Sequence, residues 1–158
     1  MPDGSAVIVR ELHIDAAPAL VFAYFTDPDK LITWKAVSAQ LDARPGGSYR
    51  MDVTGRGDVA IGSYLEVDPP HRIVFTLSWE GAQPAAPPGV VEVSLLPDGR
   101  GTWLRLVHRG LDPGEQGKST QGWQHYLDRL ALVARGEDPG PDPWAAPASQ
   151  QASLDSGR

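Results

Sequence analysis

The stretch that decides the fold is "GWQHYLDRLALVA", residues 122–134. It gathers a tryptophan, a histidine, a tyrosine and an aspartate, so it is either a catalytic face or a helix whose polar residues point at water. Residues on an α-helix are set about 100° apart. With Leu127 at the centre of the buried face, Trp123, Leu130, Ala131 and Ala134 fall within about 60° of it, and Tyr126 at its edge. His125 and Arg129 fall almost opposite, while Gln124 and Asp128 lie on a flank. Burying Leu127 and Leu130 contributes roughly 1.5–3 kcal/mol each, more than an exposed polar pair of about 0.5 kcal/mol can oppose. The stretch therefore predicts an amphipathic helix, gripping something apolar with Trp123, Tyr126, Leu127 and Leu130. His125 and Arg129 are expected to meet solvent.

What the helix grips lies upstream. Residues 6–14 alternate as a strand, with Ile8, Leu12 and Ile14 on one face and Glu11 and His13 on the other. "DAAPALVFAYFTDPDKLITW" then reads as helix, break, helix: Pro18 suits a first turn, and Thr26-Asp27-Pro28 stops one helix and starts another. Strand signals follow at 37–43, 47–54, 58–67, 72–79, 89–96 and 102–109, separated by Gly- and Pro-containing turns. The short connections make the sheet antiparallel. "GAQPAAPPG" (81–89) reads as a mobile loop. The domain is expected to span residues 1–136, with the Pro-, Gly- and Ser-rich 137–158 as a flexible tail from which Trp144 could dock back.

The totals narrow the function. A chain of 158 residues suits one domain with a real core. A net charge of -6 and no run of Lys and Arg argue against nucleic-acid binding. The absence of cysteine excludes disulfides, thiol catalysis and thiolate metal sites. The N-terminal residues lack a secretory signal, and no segment approaches the roughly 18 apolar residues of a membrane span. A cytoplasmic protein is expected.

The order strand, two short helices, six strands, one long helix resembles the helix-grip fold of the START-like, or SRPBCC, superfamily. The local motifs resemble its branch of activator of heat-shock-protein-90 ATPase homologue-like proteins. These are "IDAAPALVFAYFTDPDKLITW" (14–34), "RPGGSYRMDV" (44–53), "GSYLEVDPPHRIVFTLSW" (62–79), "GTWLRLVHRGL" (101–111) and "GWQHYLDRL" (122–130). The resemblance implies an α+β fold: a seven-stranded curved antiparallel sheet wrapped around a long C-terminal helix, with two short helices after the first strand. It also implies a cavity between sheet and helix; the superfamily includes lipid carriers, hormone receptors and polyketide aromatase/cyclases. The chain departs from the branch at "KAVSAQ" (35–40), where many members carry another aromatic and a proline, and at Leu77, where a tryptophan is frequent.

Catalytic signatures are missing. "GEQGKST" (114–120) imitates a phosphate loop, but the position that should hold the first glycine is Asp112, and Glu115 would repel phosphate. The four histidines show no metal-ligand spacing, and no serine lies in a nucleophile elbow. Glu66 alternates with Tyr64 and is a candidate inward carboxylate, in need of a cationic partner. Trp103 alternates to the convex side with Arg105 and Arg109. No cofactor or metal is expected.

The leading expectation is a carrier or sensor of a small hydrophobic or aromatic molecule. Its cavity would be lined by Trp34, Tyr49, Met51, Tyr64, Phe75, Leu77, Trp79, His108, Trp123 and Leu127, with His108 and a tyrosine hydroxyl orienting the ligand. An aromatase/cyclase-like or hydratase-like enzyme is the alternative; it would move protons with His108 or Tyr64 and requires a deep polar cavity. A co-chaperone-like interaction module ranks third. A second copy of the chain is an admissible partner, a chaperone a less favoured one.

Overall fold

The computed structural model describes residues 6–81, 88–111 and 113–146. The chain starts with β1 (Ala6–Ile14), then α1 (Pro18–Thr26) and α2 (Pro28–Leu31). Six strands follow: β2 (Ser38–Leu41), β3 (Ser48–Asp52), β4 (Val59–Asp68), β5 (Arg72–Trp79), β6 (Gly89–Asp98) and β7 (Gly101–Leu111). A 3-10 turn at Pro113–Glu115 leads into α3 (Gln116–Ala134). The strands form one antiparallel sheet in the order β1-β7-β6-β5-β4-β3-β2. The chain thus meanders from β2 to β7, while α1 and α2 carry it from one edge, β1, to the other. This is the expected helix-grip architecture.

Local chemistry sets the helix ends. Pro18 and Pro28 occupy first turns, where a missing N–H costs nothing. Asp27 ends α1 and caps α2, its side chain accepting from Asp29 N–H at 2.9 Å. At the end of α3, Gly136 takes φ +89°; its N–H reaches the Val133 carbonyl and that of Glu137 the Leu132 carbonyl. This two-bond turn needs a residue in the left-handed region and reverses the chain. The wheel's apolar face is the buried one: Trp123, Tyr126, Leu127 and Leu130 all join the core with the inward residues of the sheet.

The structure adds three details to the sequence reading. A bulge between Tyr64 and Glu66 resets the register of β4 on β5, so Tyr64 stays inside while Glu66 turns out and pairs with Arg72 at 2.9 Å. Period-two counting does not see an extra residue. The convex Trp103 donates from Nε1 to Glu11 (3.2 Å), which also pairs with Arg105. Finally, residues 137–146 return along the body as a strap: Ala146 N–H meets the Thr54 carbonyl, and Ala146 is buried. Most of the proposed loop (82–87) and the tail beyond Ala146 lie outside the described residues.

Candidate functional site

Between the sheet and α3 lies a narrow space lined by Phe25, Leu31, Lys35, Tyr49, Met51, Tyr64, Ile73, Phe75 and Trp123, with α1 and α2 contributing the first two. It leaves only about 10 Å³ for the centre of a water-sized sphere, room for about one water. The rings interlock. Tyr49 meets Phe75 edge-on at 5.6 Å and Tyr64 at the same separation, within the preferred range for aromatic pairs. The Tyr49 hydroxyl crosses β4 to donate to the Thr76 carbonyl at 2.6 Å. That crossing passes over Gly62, where a Cβ would stand 2.7 Å from the Tyr49 ring and 2.0 Å from the Thr76 oxygen. Burial raises the Tyr49 and Tyr64 pKa values, so both phenols stay protonated.

Five of the ten candidates named from the sequence stand on this wall: Tyr49, Met51, Tyr64, Phe75 and Trp123. Trp34 and Leu127 are buried behind it. Trp34 packs edge-on against Phe25 at 5.1 Å and donates from Nε1 to the Tyr24 carbonyl. Leu77 is half-buried against the core rim, and Trp79, 45% exposed, ends β5. Alternation tells which side of a strand a residue faces, not how far the cover extends. His108 is 3% exposed but off the wall: its Nδ1 accepts from Trp123 Nε1 at 3.0 Å. Burial, followed by the Lys35 charge, lowers its pKa to about 4, so it is neutral at pH 7.

Sequence reasoning missed Phe25, Leu31, Ile73 and above all Lys35. The first three carry the ordinary signature of core. Lys35 sits in the turn after α2, its N–H bonded to the Leu31 carbonyl at 3.0 Å. Its ammonium lies 4.7 Å from the Trp123 ring centroid and 4.8 Å from that of Tyr126, a double cation–π arrangement. Lys35 as a residue is half-buried. Burial lowers its pKa to about 8, partly opposed by Asp142.

His125 also departs from the wheel's expectation. It is half-buried under the strap, stacked on Trp144 with centroids 3.9 Å apart and bonded through Nε2 to Asp142 at 2.8 Å. The same carboxylate accepts from the Tyr126 hydroxyl at 2.8 Å and from Trp144 N–H at 2.9 Å. Burial pushes the Asp142 pKa up, but these hydrogen bonds outweigh it and hold it below its usual value. Arg129 donates to the Trp34 carbonyl at 3.2 Å. The wheel describes how the helix meets the sheet; it carries nothing about a strap on the other side. A second hollow, open to solvent and about 480 Å³, lies outside the core between Tyr24, Thr33 and the start of the strap. Among the described residues no group of three or more histidines and carboxylates could hold a metal ion, and no helix is long and apolar enough to cross a membrane.

Residues 15–135 match the family "Activator of Hsp90 ATPase homolog 1-like protein". Among solved structures, the chain is similar to an AHSA1-like protein of Rhizobium etli at 44% identity, covering 90% of each chain with a TM-score of 0.70. It is similar to a Chromobacterium violaceum protein at 28% identity, over 86% of this chain and 98% of that one, TM-score 0.70. It also resembles CalU16 of Micromonospora echinospora at 26% identity, over 97% and 83%, TM-score 0.66. No curated protein matches it. The family match over most of the chain, joined to the helix-grip sheet and its C-terminal helix, places this protein in the Activator of Hsp90 ATPase homolog 1-like family of the START-like (SRPBCC) superfamily.

Proposed function

We propose that the protein is a carrier or sensor that binds a small hydrophobic or aromatic molecule between the sheet and α3. The observation that supports this is the narrow space itself, whose walls are almost wholly apolar and include Tyr49, Tyr64, Phe75 and Trp123. Such walls gain by taking up apolar surface. The space holds about one water as it stands, so binding requires the walls to part. The ligand set is Tyr49, Met51, Tyr64, Phe75 and Trp123, with Trp34, Leu127 and His108 holding them from behind. We place the protein in the cytoplasm.

The enzyme reading loses ground on the same geometry. It requires a deep polar cavity, and this one is small and apolar. Of its two proton carriers, His108 lies off the wall and accepts from Trp123, while Tyr64 lines the space with a phenol that burial keeps protonated.

Trp123 lies on the wall, so its fluorescence reports occupancy directly. Titration with a library of fatty acids, sterols and small aromatics should give saturable changes in Trp123 emission, confirmed by calorimetry. The Trp123→Phe variant should bind with heat but without most of the optical signal. Absence of heat and signal across the library would overturn the carrier reading.

A further inference from the structure

From the position of Lys35 we infer that the ligand is an anion: a small aromatic carboxylate, its ring among Tyr49, Tyr64, Phe75 and Trp123, its charged head on the Lys35 ammonium. This rests on reading the narrow space as the ligand's. Lys35 is the one charged side chain among the residues that wall it. A lysine at a core margin ordinarily lays its stem along apolar surface and delivers its ammonium to water. Here the ammonium lies over the faces of Trp123 and Tyr126.

Among the described residues, no carboxylate lies within salt-bridge reach of it. The nearest acidic influence, Asp142, raises the Lys35 pKa only in part. That carboxylate is already taken up by His125, Tyr126 and the Trp144 N–H. The wall's other polar groups do not supply a counter-charge: Tyr49 donates to Thr76, and both Tyr49 and Tyr64 stay neutral. An ammonium on an apolar wall with no salt-bridge partner favours an anion brought by the ligand. A cationic ligand would be repelled, and a neutral one would leave the ammonium uncompensated.

The pH dependence has a fixed sign. The groups facing Lys35 are Asp142, with His125 behind it, from the strap side; Tyr126 and Trp123 from α3; His108 from β7; and Tyr49 and Tyr64 from the sheet. The tyrosines are neutral with raised pKa values, His108 is neutral with a lowered one, and Asp142 is ionised. Between pH 7 and 9.5 Lys35 is therefore the group whose charge changes at the site. An anion favours the ammonium, so binding takes up a proton near pH 8 and weakens as pH rises further.

The test compares matched probes: benzoate with benzamide, cinnamate with cinnamamide, and 2-naphthoate with 2-naphthamide. Calorimetry and Trp123 fluorescence are run on the full chain at pH 7 and pH 9.5. In at least one pair the carboxylate should bind about tenfold or more tighter than its amide at pH 7, with most of that advantage lost at pH 9.5. Lys35→Met should abolish the advantage while still binding the amide. Lys35→Arg should keep it and remove its pH dependence. Amides binding as well as carboxylates, or a carboxylate preference that survives Lys35→Met, would overturn the anion inference and leave the carrier reading standing. If neither member of any pair binds the wild type, this inference falls; silence across the wider library as well is what removes the carrier reading.

Discussion

Two titratable residues, the half-buried Lys35 and the buried His108, carry costs opposite to those of a core made only for stability. The Lys35 pKa is lowered from 10.5 to about 8 by burial, so the folded state binds its proton less readily than the unfolded chain does. For such a group the stability is fully present above the unfolded value and is lost as pH falls towards the folded one. At pH 7 the penalty is therefore in force, reduced by the two ring contacts. Lys35→Met should raise the free energy of unfolding by about 1–3 kcal/mol at pH 7, read from urea denaturation. The gap between variant and wild type should close between pH 8 and 10.5. A destabilised variant would show that the ring contacts outweigh desolvation. His108 follows the same sign at lower pH, its pKa falling from 6.5 to about 4 through burial and then the Lys35 charge. Its contribution is intact above pH 6.5 and lost on the way down to about 4, a change of about 3 kcal/mol at most. His108→Asn keeps an acceptor for Trp123 Nε1 and cannot titrate, so its stability should fall less than the wild type's between pH 7 and 4.5. Parallel losses in the two proteins would exclude His108 as the source.

Elements are where the sequence was most legible and where its silence has a clear cause. Residues 122–134 announce their buried face because Leu127 and Leu130 outweigh every polar contact, and both are buried with Trp123 and Tyr126. The strands were found within a few residues because alternation and turn residues agree. Half of the expected wall was legible: Tyr49, Met51, Tyr64 and Phe75 are inward by period two, and Trp123 by the helical wheel. Lys35 was not, because a lysine in a turn has no periodicity and reads as solvent-facing. Nor was the His125–Asp142–Trp144 contact, which joins α3 to a Pro- and Gly-rich stretch. Gly62 shows the same limit: its role depends on Tyr49 crossing β4, a contact between strands. A Cβ there would stand 2.0 Å from the Thr76 carbonyl oxygen and 2.7 Å from the Tyr49 ring. Gly62→Ala should therefore lower stability by about 1–3 kcal/mol, measured by chemical denaturation, and disturb Tyr49 in aromatic NMR spectra. An unchanged Tyr49 environment with full stability would mean that the strand shifts without strain.

At the scale of the whole molecule, the site is narrow, and the question is which part of the fold opens it. The sheet is continuous and α3 is held by the buried Trp123, Leu127 and Leu130, so neither wall yields cheaply. The strap is different: residues 142–146 are held by the Asp142 bonds, the ring contacts of Trp144 with His125 and Tyr126, and contacts of Ala146 that include a backbone bond to Thr54. Trp144 remains 42% exposed even when docked, so local release of this segment costs less than global unfolding. The strap also brings Asp142 within electrostatic reach of Lys35; its release loosens the cover on Tyr126 and removes a competing charge from the ammonium. If strap release admits the ligand, the binding-competent fraction rises as the docked state is weakened. Trp144→Ala removes the aromatic stack, a loss of about 1 kcal/mol, which corresponds to about a fivefold larger open fraction. The variant should therefore associate about fivefold faster with an aromatic probe in stopped-flow fluorescence read at Trp123. Hydrogen exchange at the Ala146 amide, which donates to Thr54, should quicken by a similar factor. Faster exchange without faster association would place the opening elsewhere, at α1 and α2, which contribute Phe25 and Leu31 to the wall.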